Sequence, residues 1–165
     1  MIYQLIEILD KKVHFDRAQA HCDIPCGIYD PSTAQIAALT VVRMMDLMIE
    51  LEAKGEKNLS YQNSMARYIA VKEEHAEKAK HEIRVIWGDY IKTQHIEKHS
   101  EVMELVHKIM QLGSKSRQTC DRETGIQFVE SINQFAEIFW DTKGISVKRA
   151  KCPYSPALEM VYPNL

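Results

Sequence analysis

The stretch Ile36–Ile49, IAALTVVRMMDLMI, decides the fold class because Thr40, Arg43 and Asp46 are its only polar residues. Their spacing of three places them along one narrow stripe of a helix, and the rest of the helix surface is apolar. A helix that is apolar around most of its circumference is buried on more than one side. The stretch therefore predicts a helix that packs into a bundle core on one side and against a second subunit on another.

Three further helices are predicted, because apolar residues recur in steps of three and four along the following chain. They span about 60–90, 100–112 and 123–142, with connections at 91–99 and 114–123. Gly113 and Gly144 are predicted to end the last two helices. The tail 145–165 contains three prolines, so we expect an extended segment attached to the surface. The predicted architecture is all-α, an up-down four-helix bundle over residues 32–144.

The composition is that of a single globular domain, with 165 residues of which 45% are hydrophobic and 27% charged. A net charge of −2 provides no basic field for nucleic acid or for a membrane surface. The apolar N-terminal residues contain Glu7 and precede their lysines, which is the reverse of an export signal. We therefore expect a cytoplasmic protein that binds neither nucleic acid nor a membrane.

The segment His21–Pro31, HCDIPCGIYDP, carries the chemistry of the chain and is called the hook below. Pro25 and Gly27 flank Cys26, so the segment cannot be regular helix, and a tight turn brings both sulfurs toward one point. Two thiolates and an imidazole are a soft ligand set for a transition metal. A small disulfide or two inert thiols are the alternative interpretations.

A fourth ligand depends on where the mature chain begins. Ala18-Gln19-Ala20 has the small-x-small form of a processing site, directly before His21. Residues 1–20 are therefore either an ordinary N-terminal helix or a leader whose removal frees the α-amino group of His21. That amine, a deprotonated amide of Cys22 and two thiolates would form a planar set that favours Ni(II) or Cu(II).

The hook resembles the nickel hook of nickel-containing superoxide dismutase, and the resemblance continues through residues 71–81, 87–90 and 138–143. It implies a homohexamer of four-helix bundles and a dedicated protease that cuts between Ala20 and His21. It also implies one nickel ion per subunit. His21 would supply its α-amino nitrogen and imidazole, Cys22 its amide nitrogen and sulfur, and Cys26 its sulfur.

The reaction implied by this resemblance is the disproportionation of superoxide to dioxygen and hydrogen peroxide, with nickel alternating between Ni(III) and Ni(II). Tyr29 matches the tyrosine that gates the open side of the metal, and Tyr90 matches a tyrosine hydrogen-bonded near it. Supporting positions that shape the hook or could attract the anion are Asp23, Pro25, Arg67 and Lys92.

One departure from the family pattern concerns the imidazole of His21. Family members orient it with a glutamate on the first helix and an arginine on the second, whereas this chain has Ala37 and His75 there. Because such outer partners fix ring orientation and tune the metal, we predict that His75 holds the imidazole directly or that it is held less firmly. The alternative functions are a non-catalytic metal-binding or metal-delivery module and a helical oligomer with a structural Cys22–Cys26 disulfide.

Overall fold

The computed structural model describes residues 27–165. The predicted leader at 1–20 and the hook residues 21–26 lie outside the described residues. The described helices are α1 Ser32–Ala53, α2 Leu59–Val85, α3 Thr93–Lys98, α4 Val102–Gln118 and α5 Arg122–Thr142, with a π-helical turn at Ile86–Tyr90. Two strands follow, β1 Val147–Lys151 and β2 Glu159–Pro163.

The four long helices form the predicted four-helix bundle. Helix α1 packs against α2 and α5, and α4 packs against the same two helices from the other side. At Gly125, a side chain on α5 would come within 3.0 Å of Val42 and Met45 on α1, so glycine permits the close approach of the two helices. The largest fully buried side chains are Leu39, Met45, Ile83, Ile109, Ile132, Phe128, Phe135 and Phe139. No helix in residues 27–165 is long and apolar enough to cross a membrane.

Side chains that accept hydrogen bonds from free backbone N–H groups determine where the helices begin. The carboxylate of Asp30 accepts from the N–H of Ser32, the first residue of α1, at 2.7 Å. Asn58 caps α2 by accepting from the N–H of Tyr61 at 2.9 Å, so the helix begins at Leu59, close to the predicted start at about residue 60. The predicted long second helix is otherwise confirmed, with its last residues widened into the π-helical turn.

The predicted end of the third helix at Gly113 is wrong, because α4 continues to Gln118. A side chain at Gly113 would come within 2.7 Å of the aliphatic carbons of Lys80 on α2. This glycine therefore serves the close packing of α4 on α2 rather than the end of a helix. The predicted loop at 114–123 shrinks accordingly, and the predicted connection at 91–99 contains the short helix α3.

Lys72 closes the end of α4 from the neighbouring helix. It is only 3% exposed, although Glu73, Glu74, Glu77 and Lys78 follow it in the sequence of α2. The ammonium group donates to the carbonyls of Ser116, Arg117 and Thr119 at 2.7–2.8 Å. The last carbonyls of a helix lack partners within the helix, so Lys72 supplies donors that the sequence of α4 does not provide.

The tail does not remain extended along the surface, because β1 and β2 pair as an antiparallel hairpin. Three of its side chains, Cys152, Met160 and Val161, are buried against the bundle. The prolines that suggested an irregular tail fall in the hairpin loop or at the last position of β2, where a missing N–H is tolerated. The hairpin packs on α5 through β2 and so adds to the core of the bundle on that side.

The hairpin also revises the interpretation of α1. Part of the apolar surface attributed to a second subunit is covered within the same chain, since Ala34 and Ala38 are fully buried and Gln35 contacts β2. Ile36 and Ile49 remain about half exposed, at 50% and 47%. On α1, these two are the exposed large apolar side chains, and Met44 and Leu47 are partly exposed beside them, so part of the predicted interface surface is still available.

Candidate active site

The described chain begins directly after the second hook cysteine. Gly27 has a φ of +70°, a backbone conformation that side chains rarely adopt, and residues 27–30 are not helical. The predicted metal ligands His21, Cys22 and Cys26, together with Ala20, Asp23 and Pro25, lie outside the described residues. Their predicted roles therefore stay predictions, and the geometry below concerns the place where the hook joins the bundle.

The two tyrosines predicted at the site are brought together. The ring centroids of Tyr29 and Tyr90 lie 5.6 Å apart at an angle of 44°. Tyr29 lines an open recess with Glu82 and Ile86, at the end of α2. Thus the hook enters the bundle at the end formed by the start of α1, the end of α2 and the end of α5.

The π-helical turn positions Tyr90. The N–H of Ile91 reaches back to the carbonyl of Ile86 at 3.1 Å, which adds a residue to the last turn of the helix. As a result, the Tyr90 ring lies against Phe139 at 5.0 Å between centroids and stacks on His95 at 5.3 Å. Wide turns of this kind are frequent at functional sites.

The hydroxyl of Tyr90 has a defined hydrogen-bond direction. It lies 2.8 Å from Oγ1 of Thr142, and Thr142 in turn donates its hydroxyl proton to the carbonyl of Phe139 at 2.6 Å. Because a threonine hydroxyl has a single proton, Tyr90 must be the donor to Thr142. The Tyr90 oxygen therefore offers only acceptor lone pairs to any other group at the site.

Lys143, which is not among the predicted site residues, supplies a positive charge at this cluster. Its ammonium nitrogen lies 4.8 Å from the ring centroid of Tyr90 and 5.2 Å from that of Phe139. Both distances are within the range of cation–π attraction. Lys143 directly follows α5, and only the π-helical turn that places Tyr90 beside the end of α5 reveals its position.

The two predicted cationic positions behave differently from Lys143. The ammonium of Lys92 donates to the carbonyl of Asp89 at 2.7 Å, so it is held near the π-helical turn by its own backbone. Arg67 is exposed on α2, about 27 Å along the helix from Val85, at a rise of ~1.5 Å per residue. Within one chain, Arg67 therefore does not join the tyrosine cluster, and its predicted part in attracting the anion there would need a second subunit.

The two positions that depart from the family pattern are occupied by Ala37 and His75, on α1 and α2. Ala37 is buried in α1, with 2% exposure. His75 lies about 15 Å along α2 from Val85, at ~1.5 Å per residue. Its Nδ1 donates to the carbonyl of Val71 at 2.9 Å, because the carbonyl can only accept. Whether Nε2 receives the imidazole of His21 stays a prediction.

A network of charges ties α3 to the end of α5 beside the cluster. His99 Nε2 lies 2.7 Å from a carboxylate oxygen of Asp141, and Lys98 binds the same oxygen. The hydrogen bonds from Lys98 and His99 hold the pKa of Asp141 below its usual range. His95 and His99 therefore have separate partners, Tyr90 and Asp141, and do not form a histidine pair for a metal.

The described residues contain no second candidate metal site that could replace the hook. No three His, Cys, Asp or Glu side chains within residues 27–165 are grouped closely enough to hold a metal ion. Cys120 and Cys152 are free and lie apart from the tyrosine cluster. The imidazole and two thiols at 21–26 fit a thiophilic transition metal such as nickel. The fold and this donor set are those expected of a helical-bundle metalloprotein.

Comparison with known proteins identifies the family. The family model described as nickel-containing superoxide dismutase matches residues 16–143. The chain therefore belongs to the nickel-containing superoxide dismutase family. This confirms the predicted superoxide dismutase activity and its nickel cofactor, and it does not favour a non-catalytic metal-binding or delivery module.

Individual relatives agree with the family assignment. The chain is 38% identical over 124 residues to a superoxide dismutase [Ni] of Streptomyces coelicolor, covering 75% of this chain and 88% of the relative. It is 36% identical over 127 residues to that of Streptomyces seoulensis, covering 77% and 91%. The native crystal structure of a nickel superoxide dismutase superposes with a TM-score of 0.65 at 37% identity, covering 74% of this chain and 99% of that one.

Proposed function

We propose that this chain becomes an active superoxide dismutase only when residues 1–20 are removed. The ligands are then the α-amino nitrogen and imidazole of His21, the amide nitrogen and sulfur of Cys22, and the sulfur of Cys26. The observation that supports this most directly is the donor set itself, which stands three residues before a tyrosine packed on the bundle. An amine ligand at His21 exists only after the Ala20–His21 bond is cut.

The reaction consumes two superoxide anions and two protons and yields one dioxygen and one hydrogen peroxide. One superoxide is oxidised and the other is reduced, and nickel held by thiolate and amide donors supplies the one-electron couple that links them. The chain's own residues hold this couple in place, restrict access to it and attract the anion. Tyr29 and Tyr90 form a wall where the hook joins the bundle, and Lys143 places a positive charge over that wall.

The same proposal includes a homohexamer, a dedicated maturation protease and a cytoplasmic location. Support for association comes from Ile36 and Ile49 on α1, which are large apolar side chains left about half exposed. Support for processing comes from Ala18-Gln19-Ala20 in front of His21. Support for the cytoplasm comes from the order of charged and apolar residues at the N-terminus.

The test is production of the full chain with and without a protease that cuts before His21. We expect the cut protein to have the intact mass of residues 21–165, to contain about one nickel ion per chain and to dismutate superoxide. The uncut protein, treated identically with nickel, is the control and should be inactive. Equal activity in the two samples, or a correctly cut protein that takes up no nickel, would overturn the proposal.

A further inference from the structure

We propose that the C-terminal hairpin is a clasp that fixes the first turn of α1, from which the hook emerges. The clasp consists of strands β1 and β2 and their contacts with Gln35 and Asn133. The family match ends at residue 143, so the hairpin lies outside it. The inference therefore concerns a feature that residues 16–143 do not contain.

Two buried amide side chains connect the hairpin to the bundle. Gln35 on α1 and Asn133 on α5 are only 2% and 1% exposed. The side-chain nitrogen of Gln35 donates to Asn133 at 2.8 Å and to the carbonyl of Val161 at 3.3 Å. The side-chain nitrogen of Asn133 donates to the carbonyl of Glu159 at 2.9 Å. Without β2, these buried donors would lose their backbone acceptors, which is costly in a dry interior.

Gln35 belongs to the first turn of α1. Its backbone N–H donates to the carbonyl of Pro31 at 3.0 Å, one turn after the point where the hook ends. The first turn of a helix has few internal hydrogen bonds and frays readily. The contact of Gln35 with Asn133 and β2 therefore holds the part of α1 that would otherwise open first.

The hairpin is itself firmly attached to α5, so it can act as a fixed support. The guanidinium of Arg149 binds the carboxylates of Glu137 and Glu130 at 2.7 and 2.8 Å. Met160 and Val161 are buried at 4% and 2% exposure. The hairpin therefore connects α5 with the start of α1 through Asn133, β2 and Gln35.

The clasp concerns α1 itself and does not depend on the proposed ligand role of residues 21–26. The experiment therefore uses the full chain without metal. Hydrogen exchange of the backbone N–H of Gln35, called the Gln35 amide below, is measured by NMR in the wild type and in Asn133→Ala. We expect exchange at least about tenfold faster in the variant, because Gln35 loses one partner and Glu159 loses its donor.

A matched control separates the clasp from general destabilisation. Ile109→Val removes one buried methylene from α4, a helix that carries neither partner of the clasp. At equal free energy of unfolding, adjusted with urea, the Gln35 amide should exchange no faster in Ile109→Val than in the wild type. Arg149→Gln loosens the hairpin without altering α1 and should accelerate the same amide, to a smaller degree.

The result that overturns the inference is a Gln35 amide whose exchange rate in Asn133→Ala equals that in Ile109→Val. If Asn133→Ala does not fold, Arg149→Gln decides, and an unchanged Gln35 rate there overturns the inference equally. Should the cut wild-type protein bind no nickel, the proposed function fails, while the exchange measurement still decides whether the clasp exists.

Discussion

The two terminal segments of this chain approach the first turn of α1 in different ways. The N-terminal hook enters through Tyr29, whose ring packs on Tyr90. The C-terminal hairpin arrives through Val161, whose carbonyl accepts from Gln35. The hook is defined by the types of its residues, two cysteines and a histidine, whereas the hairpin is defined by contacts with residues far away in the sequence. The first segment was therefore identified from the sequence and the second was not.

The largest expected effect is the loss of nickel when a hook thiol is replaced. In Cys22→Ser, a hydroxyl that stays protonated replaces a thiolate ligand, so we expect nickel content and dismutase activity to fall to background. The free energy of unfolding of the metal-free protein should change by less than about 0.5 kcal/mol. Metal analysis, activity assay and urea denaturation measure the three quantities.

Cys120→Ser is the matched control for this substitution, because Cys120 is a free, exposed thiol of the same chain. It should retain nickel and activity. Loss of nickel in both variants would mean that the cysteines of the hook have no special role, which contradicts the difference drawn between the two segments.

The next effect concerns stability and the hairpin. Met160 is buried at 4% exposure, and truncating a buried methionine to alanine typically costs about 2–5 kcal/mol. We expect Met160→Ala to lower the free energy of unfolding by an amount in that range, measured in urea without metal. Lys148→Ala, an exposed position on β1, is the control and should change it by less than about 0.5 kcal/mol. Equal values for the two variants would show that the hairpin does not belong to the core.

Local patterns predicted the parts of the fold that depend on neighbouring residues. Helix α5 was predicted to within one residue, because Gly144 adopts a φ of +68° and the N–H groups of Gly144 and Ile145 return to the carbonyls of Asp141 and Trp140. Gly113 carries the same sequence signal but serves packing against Lys80. Nothing local distinguishes these two glycines, so one helix end was right and the other was wrong.

Long-range partners explain the remaining differences. Lys72 follows a pattern of charged residues on α2, but its acceptors are carbonyls 44–47 positions further along the chain. The Gln35–Asn133 pair is separated by 98 positions. At the site, Tyr29 and Tyr90 were identified through a family resemblance, whereas Thr142 and Lys143 join them only because a π-helical turn moves Tyr90 against the end of α5. Periodicity contains no information about such contacts.

The smallest expected effect tests which cation serves the hook end of the bundle. Lys143 lies over the Tyr90 ring, while Arg67 lies about 27 Å along α2 from Val85. One unit charge roughly 7 Å from an anion in water is worth about 0.6 kcal/mol, or about a threefold change in its local concentration. We therefore expect Lys143→Met to lower kcat/KM about threefold at low ionic strength and to flatten its salt dependence.

Three further variants are the controls for this prediction and the test of its alternative. Lys143→Arg retains the charge and should restore both the rate and the salt dependence. Lys148→Met removes a lysine from an exposed position on β1 and should leave both unchanged. Arg67→Gln tests whether the attracting charge belongs to the same chain or to a neighbouring subunit. If Arg67→Gln rather than Lys143→Met flattens the salt dependence, the charge that attracts superoxide comes from a neighbouring subunit, and the site is completed by association rather than by the fold of one chain.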